Sequence, residues 1–282
     1  MKQRKNFLWV VAVLAVVGGA WFTHNQLTWE STDDAYVQAH VLMLAPRVAG
    51  TVSKVLVDEN EEVKAGQVLV QFEGQDYATA QSQAQADVAS LQADLTQAQA
   101  DFARAQKLLA DGVVTQQQYD QAKAHASALQ QRLVGAEFKA KQAQLNLSYT
   151  QLVAPTDGTI AKRAVEAGMV VPQGQPLLGF VGSQERWVTA NFKETQLERI
   201  RPGKEAEVEV DALPGRVFKG EVESLSAGTG STFTLLPPDN ASGNFTKVVQ
   251  RVPVRIKLPD LSADDIRLLQ AGLSADVSVR VR

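Results

Sequence analysis

Along this chain of 282 residues the spacing of hydrophobic positions changes period, from two to three-and-a-half and back again. From Gly50 to Leu69 apolar and polar residues alternate between turn residues, the pattern of half-buried strands, and the same pattern returns from Gly158 to Leu177. The two stretches are nearly one text. Gly50-Thr51-Val52-Ser53-Lys54 recurs as Gly158-Thr159-Ile160-Ala161-Lys162 at an offset of 108 residues. At that offset Val57 matches Val165, Asn60 matches Gly168, Val63 matches Val171, Gly66-Gln67 matches Gly174-Gln175, and Leu69 matches Leu177. One copy presents an apolar face and has little to bury it against. Two copies face to face close a flattened sandwich, so the halves are expected to fold together across whatever separates them.

The intervening residues carry the helical period. Gln81, Ala84, Val88, Leu91, Leu95, Ala98, Phe102, Ala105 and Leu109 follow one another in alternating steps of three and four, a heptad seam. A second seam runs Tyr119, Ala122, Ala126, Leu129, Leu133, Ala136, Ala140, Ala143 and Leu147. Between them, Gly112 suits the left-handed end of one helix, and Thr115 with Gln118 has the spacing of a capping box for the next. So short a connection predicts antiparallel neighbours, with arms of about 34 residues reaching roughly 50 Å. The many seam alanines predict a slender hairpin of moderate stability, because small side chains bury little area per layer. Its outer faces, rich in Gln, Ala and Asp, suit lateral packing against copies of itself.

Beyond the second repeat the pattern is β again. Trp187 to Phe192, Glu205 to Val210, Arg216 to Val222, Thr246 to Leu258 and Leu273 to Val281 read as strands, with a short helix at 193–200 stopped by Pro202-Gly203. Strands joined by glycine and proline turns with one small helix among them suggest a closed or nearly closed barrel. The stretch from Ser226 to Asn244, rich in Gly, Thr, Ser, Pro and Asn, reads as a long loop.

The N-terminus has a third pattern. Lys2, Arg4 and Lys5 precede an uncharged apolar run from Phe7 to about Thr23, which spans roughly 25 Å as a helix, near the ~30 Å hydrocarbon core. Trp9, Trp21 and Trp29 suit membrane interfaces, and the basic flank predicts a cytoplasmic N-terminus. A cleaved signal peptide is the alternative, with Gly18 and Ala20 as small residues at the cut, although Trp21 and Phe22 continue the apolar run past it. Either way the rest of the chain lies outside the inner membrane. A net charge of -3, with no basic block after the first five residues, argues against nucleic acid. Aromatic residues make up 6%, which fits thin cores in an elongated molecule, and the absence of cysteine excludes disulfides, thiolate metal sites and a lipidated N-terminus.

Four local signatures then carry a family resemblance: Thr32-Asp-Asp-Ala-Tyr-Val37; Val188-Thr-Ala-Asn-Phe-Lys-Glu-Thr-Gln196; Gly228-Thr-Gly-Ser231 leading to Leu235-Leu-Pro; and Asn240-Ala-Ser-Gly-Asn244 leading to Lys247-Val-Val-Gln-Arg-Val-Pro-Val-Arg255. With them, nearly the whole chain resembles the membrane-fusion or periplasmic adaptor proteins of Gram-negative tripartite pumps, above all the EmrA type. The resemblance implies lipoyl-like halves (a barrel-sandwich hybrid) interrupted by the coiled-coil hairpin, then a β-barrel, after an N-terminal transmembrane helix. The expected segments are 1–30 for the cytoplasmic end and anchor, 31–75 for a lead-in strand and first lipoyl-like half, 76–150 for the hairpin, 151–183 for the second half and 184–282 for the barrel. The implied partners are an inner-membrane exporter of the major-facilitator type, a TolC-like outer-membrane channel, and further copies of the chain in a trimer or hexamer. The adaptor of an ABC-type or type I secretion system is the alternative, and a purely structural envelope coiled coil is a third reading.

One motif transfers residue by residue. Adaptors that meet a TolC-like channel through the hairpin tip resemble one another in an Arg, a Leu four residues on and a Ser seven further. Here Arg104, Leu108 and Thr115 stand at that spacing, with Gly112 between them keeping the turn tight. Leu108 packing beside the seam is the structural alternative. Enzyme chemistry finds no support. The turn Glu73-Gly-Gln-Asp76 lacks the acceptor lysine of a lipoyl carrier, and His24, His40 and His125 are scattered without metal-ligand spacing. Gly228-Thr-Gly-Ser231 lacks the end of a phosphate loop, and Asp33-Asp34 reads as a turn cap rather than an acid-base pair. No cofactor and no metal is expected.

Overall fold

The 108-residue offset in the sequence is also an offset in hydrogen bonding. In the computed structural model, which describes residues 28–229, 232 and 249–282, the strand β1 (Trp29–Gln38) is followed by β2 (Val41–Leu44) and then by the first alternating stretch as β3 (Gly50–Val55), β4 (Glu62–Val63) and β5 (Val68–Phe72). After the hairpin, β6 (Gln151–Val153) leads into the second stretch as β7 (Gly158–Arg163), β8 (Val170–Val171) and β9 (Leu178–Gly182). These strands build two sheets in the orders β2-β9-β7-β4 and β6-β5-β3-β8, so each sheet draws on both copies. Gly50 pairs with Val171 and Thr51 with Val170; shifted by the offset, Gly158 pairs with Val63 and Thr159 with Glu62. The loops repeat it too. Asn60 N donates to Ile160 O at 2.7 Å as Gly168 N does to Val52 O at 2.8 Å, and Gly66 N donates to Ala154 O at 2.8 Å as Gly174 N does to Pro46 O at 2.9 Å. Asn60 and Gly168 both take left-handed backbone, at φ 66° and 87°, which asparagine and glycine tolerate best. Neither copy is complete alone, since the edge groups of each are satisfied by the other. The shared core contains Val52, Leu69, Phe72, Ile160, Leu177 and Phe180, all nearly inaccessible.

The hairpin consists of α1 (Gln75–Ala110) and α2 (Gln116–Ser148). Every position of both predicted seams is buried or half-buried, and the residues between them face solvent for most of the length. Leu95, Ala98, Ala126, Leu129 and Leu133 form the driest layers, and nearer the turn the rings of Phe102 and Tyr119 lie 5.5 Å apart. Helices of this length reach roughly 50 Å. At the base, Tyr77 Oη donates to Ala49 O at 2.8 Å, tying α1 to the sandwich.

The second compact unit is a closed barrel of β1 with β10 (Trp187–Lys193), β11 (Glu205–Val210), β12 (Val217–Leu225), β13 (Arg251–Lys257) and β14 (Ser274–Arg280), in the order β1-β10-β13-β12-β11-β14. The lead-in strand differs from the sequence expectation. Divided there between the anchor segment 1–30 and the segment 31–75 that it shares with the first lipoyl-like half, it instead pairs with β10 and β14 and closes the barrel, burying Thr32, Ala35 and Val37. Strand pairing over such separations leaves no local mark in the sequence. The helix expected at 193–200 is only a 3₁₀ turn at Glu194–Gln196, followed by further turns. A separate helix, α3 (Ala263–Leu268), went unanticipated because six residues are too few to show a period. The barrel core gathers Val188, Phe192, Ile200, Val208, Ile256 and Val277.

The apolar run from Phe7 to Thr23 lies outside the described residues, as do Gly230, Ser231 and residues 233–244 of the expected loop, and most of the two signatures there. Among the described residues no helix is long and apolar enough to cross a membrane, and no group of three or more His, Asp or Glu could hold a metal ion.

Candidate docking site

All four tip residues read from the sequence fall within the last two turns of α1, the connection and the cap of α2. The connection is a Schellman turn: Val113 N donates to Leu108 O at 2.9 Å and Gly112 N to Leu109 O at 3.0 Å. Gly112 takes φ 72°, and a Cβ there would meet nothing within 4 Å, so backbone conformation rather than space selects glycine. Thr115 caps α2 reciprocally with Gln118, accepting from Gln118 N at 3.3 Å while Gln118 Oε1 accepts from Thr115 N at 3.0 Å. The hydroxyl also lies 3.3 Å from Gln118 Oε1, so Thr115 is engaged at home. Arg104, one turn before Leu108 on α1, holds Asp101 in an i,i+3 ion pair and remains 70% exposed in its side chain. Leu108 is 39% exposed and lies off the seam. The residue that sequence reasoning missed is Val113, an apolar side chain 69% exposed at the turn itself. Its signal was present: a valine pair in a connection whose geometry needs only Gly112 and Thr115. The tip therefore offers a cation, two apolar side chains and a rigid turn, which suits docking against the apolar and carbonyl-rich end of a partner helix and provides no reacting group.

A second cluster explains three of the four sequence signatures. Asp33 and Asp34 do not cap a turn; they sit where β1 bulges against β14, between Thr32 and Ala35. The bulge re-aims Asp34. Its Oδ1 accepts from Asn191 Nδ2 at 3.1 Å and its Oδ2 from Arg251 Nη1 at 2.7 Å. Thr32 Oγ1 donates to Asn191 O at 2.9 Å and accepts from Asp34 N at 3.2 Å. Gln196 extends the network, donating to Glu30 Oε2 at 2.9 Å and accepting from Lys193 N at 3.0 Å. The signatures meet because they brace β1, β10 and β13 against one another.

Arg186 is buried without a carboxylate among the described residues. It donates to the carbonyls of Leu269 at 2.9 Å and Gly182 at 2.7 Å, and burial pulls its pKa down from the usual arginine value. It staples the strand before β10 to the segment after α3, a structural role.

Residues 39–179 match the family described as CzcB-like, barrel-sandwich hybrid domain, and residues 186–232 match the CusB-like, beta-barrel domain. The colistin resistance protein EmrA of Acinetobacter baumannii is 32% identical over 341 aligned residues, covering 100% of this chain and 96% of that protein. The fatty acid resistance protein FarA of Neisseria gonorrhoeae is 38% identical over 297 residues, covering 88% of this chain and 75% of that protein. Among solved structures, the membrane fusion protein Spr0693 from Streptococcus pneumoniae R6 superposes with a TM-score of 0.66 at 16% identity, over 90% of this chain and 99% of that one, a likeness of fold.

Proposed function

Because the chain belongs to the EmrA-type family of membrane-fusion proteins, whose members are non-enzymatic periplasmic adaptors of efflux pumps, we propose that it links an inner-membrane exporter of the major-facilitator type to a TolC-like outer-membrane channel. In this reading the apolar run from Phe7 to Thr23 crosses the inner membrane once, with the N-terminus cytoplasmic and the bulk of the chain periplasmic. Several copies assemble, because a sealed conduit needs a ring, and the family resemblance makes that ring a trimer or hexamer. The hairpin tip is the channel-facing end. The observation that supports this is the outward display of Arg104, Leu108 and Val113 around a turn whose own hydrogen bonds are complete, so these side chains are not needed to close it.

The decisive measurement is resistance in a strain lacking the native gene, complemented by Arg104→Asp, Leu108→Asp or Val113→Asp, with helicity and melting temperature measured on each purified variant. Exposed surface positions tolerate such changes within about 0.5 kcal/mol, so the docking reading expects folded proteins without export. A folded Arg104→Asp variant with full export removes Arg104 from the contact surface. Co-purification from membranes, with partners identified by mass spectrometry, separates a major-facilitator exporter from an ATP-driven one.

A further inference from the structure

The end of the barrel at which the chain arrives from its apolar run carries an unexplained basic cleft of about 350 Å³. It is lined by Arg199, Arg201, Lys204, Arg282, Val281 and a single acid, Glu198. Two of the cations have internal work. Arg201 Nη1 donates to the carbonyls of Leu197 and Ile200, each at 2.9 Å, and Arg199 pairs with Glu30 at 3.3 Å. Lys204 and Arg282 have no carboxylate partner among the described residues. Four positive side chains against two carboxylates, Glu198 and the Glu30 that Arg199 holds, leave a positive excess that favours an anion with several acceptor oxygens.

Its place in the fold narrows the ligand. Val281, part of the cleft wall, donates its N–H to Thr28 O at 2.9 Å, and Trp29 stands opposite Arg280 at the start of β1. Thr28 lies five residues after Thr23, the end of the apolar run, so the connecting chain spans at most roughly 17 Å. Once that run is in a bilayer, the cleft cannot leave the neighbourhood of the headgroups. Trp29, half-buried at the same point, is the residue type that favours the membrane interface.

We propose that the cleft formed by Arg199, Arg201, Lys204 and Arg282 binds the phosphate of an anionic phospholipid headgroup in the outer leaflet of the inner membrane. The occupied cleft fixes the height and tilt of the barrel above the bilayer. This rests on the reading of residues 7–23 as a membrane span.

The full chain, purified in detergent, is titrated with short-chain phosphatidylglycerol, short-chain phosphatidylcholine or inorganic phosphate, and binding is followed through melting temperature. Two free cations near a headgroup correspond to about a thirtyfold preference for phosphatidylglycerol over phosphatidylcholine. Added salt weakens the preference, Lys204→Glu with Arg282→Glu abolishes it, and Lys204→Arg with Arg282→Lys keeps it. Should the reversed pair lose its barrel by circular dichroism, the neutral pair Lys204→Gln with Arg282→Gln takes its place and must lose the preference equally. Equal affinity for the two lipids, a preference that survives these changes, or an equal response to inorganic phosphate alone overturns the proposal. The membrane span is judged separately, by whether alkaline carbonate releases the chain from native membranes without detergent.

Discussion

Arg251 Nη1 donates to Asp34 Oδ2 at 2.7 Å, joining side chains 217 residues apart on two barrel strands that are not neighbours. The strand between them contributes Asn191, which donates to the other Asp34 oxygen at 3.1 Å. Asp34 thus braces three strands from a bulge. Both charged side chains are about two-fifths exposed, at 44% for Asp34 and 41% for Arg251, so solvent screens the pair. Asp34→Ala is expected to cost about 1 kcal/mol, and Asp34→Asn less, because an amide oxygen still accepts from Asn191. Thermal unfolding of both variants measures the difference; equal melting temperatures for wild type and Asp34→Ala would mean that the cluster contributes nothing to the barrel.

The hairpin is held by few large side chains, which makes each one count. Leu95 is 2% exposed between the helices. Leu95→Asp places a charge there without a partner, and the loss should be about 3–5 kcal/mol within the hairpin. Far-ultraviolet circular dichroism should show reduced helix with the β signal retained, since the sandwich and the barrel have cores of their own.

At the turn, Thr115→Ala removes the hydroxyl that accepts from Gln118 N. The cost expected for a lost N-cap is about 1 kcal/mol. Thr115→Ser should restore it, because the hydroxyl and the capping-box geometry remain. Melting temperature and export measured together separate this capping role from docking: a purely capping residue loses stability without losing channel contact.

Two glycines should respond in opposite directions. A Cβ at Gly220 in β12 would lie 2.7 Å from Ile256 Cγ2 and 3.1 Å from Lys257 O. Gly220→Ala therefore overpacks the barrel and is expected to destabilise it by about 1–3 kcal/mol. Gly135 lies inside α2 with nothing within 4 Å of its added Cβ. Gly135→Ala should stabilise the hairpin by up to about 1 kcal/mol. Chemical denaturation of the two variants tests both signs.

Acid should weaken the barrel through Asp265. The Ser262 hydroxyl and backbone amide bind its carboxylate, at 2.7 Å and 3.1 Å, and the Arg216 guanidinium adds to them, holding the pKa below the usual aspartate value. A depressed folded-state pKa contributes stability that is complete above the unfolded value near ~3.9 and is lost as pH falls through the folded value. Asp265→Asn lacks this contribution. The stability gap between wild type and variant should be constant near neutrality and shrink below about pH 4; a gap independent of pH down to acid unfolding would exclude the linkage.

Much of this architecture was legible before any coordinates. The heptad seams, the Gly112 turn, the Thr115–Gln118 cap and the 108-residue repeat are local or self-similar features. Their physical causes act within a few residues: a face that must be apolar, a φ that must be positive, an amide that needs an acceptor. The exposure of the tip was less legible, because the spacing of Arg104, Leu108 and Thr115 says nothing of Val113, whose side chain turns out only once the Schellman turn is built.

By itself, then, the sequence determined periods, caps and the two-fold kinship of the halves, together with the family signatures. Which strand closes the barrel was decided by tertiary structure alone. Trp29–Gln38 shows no clean alternation of apolar and polar residues, and only pairing with β10 and β14, more than 140 residues away, assigns it. The same holds for Asp34 with Arg251 and for Lys204 with Arg282. Hydrogen bonds and charge clusters between distant segments depend on how the whole chain closes, and that closure leaves no period for a reader of the sequence to find.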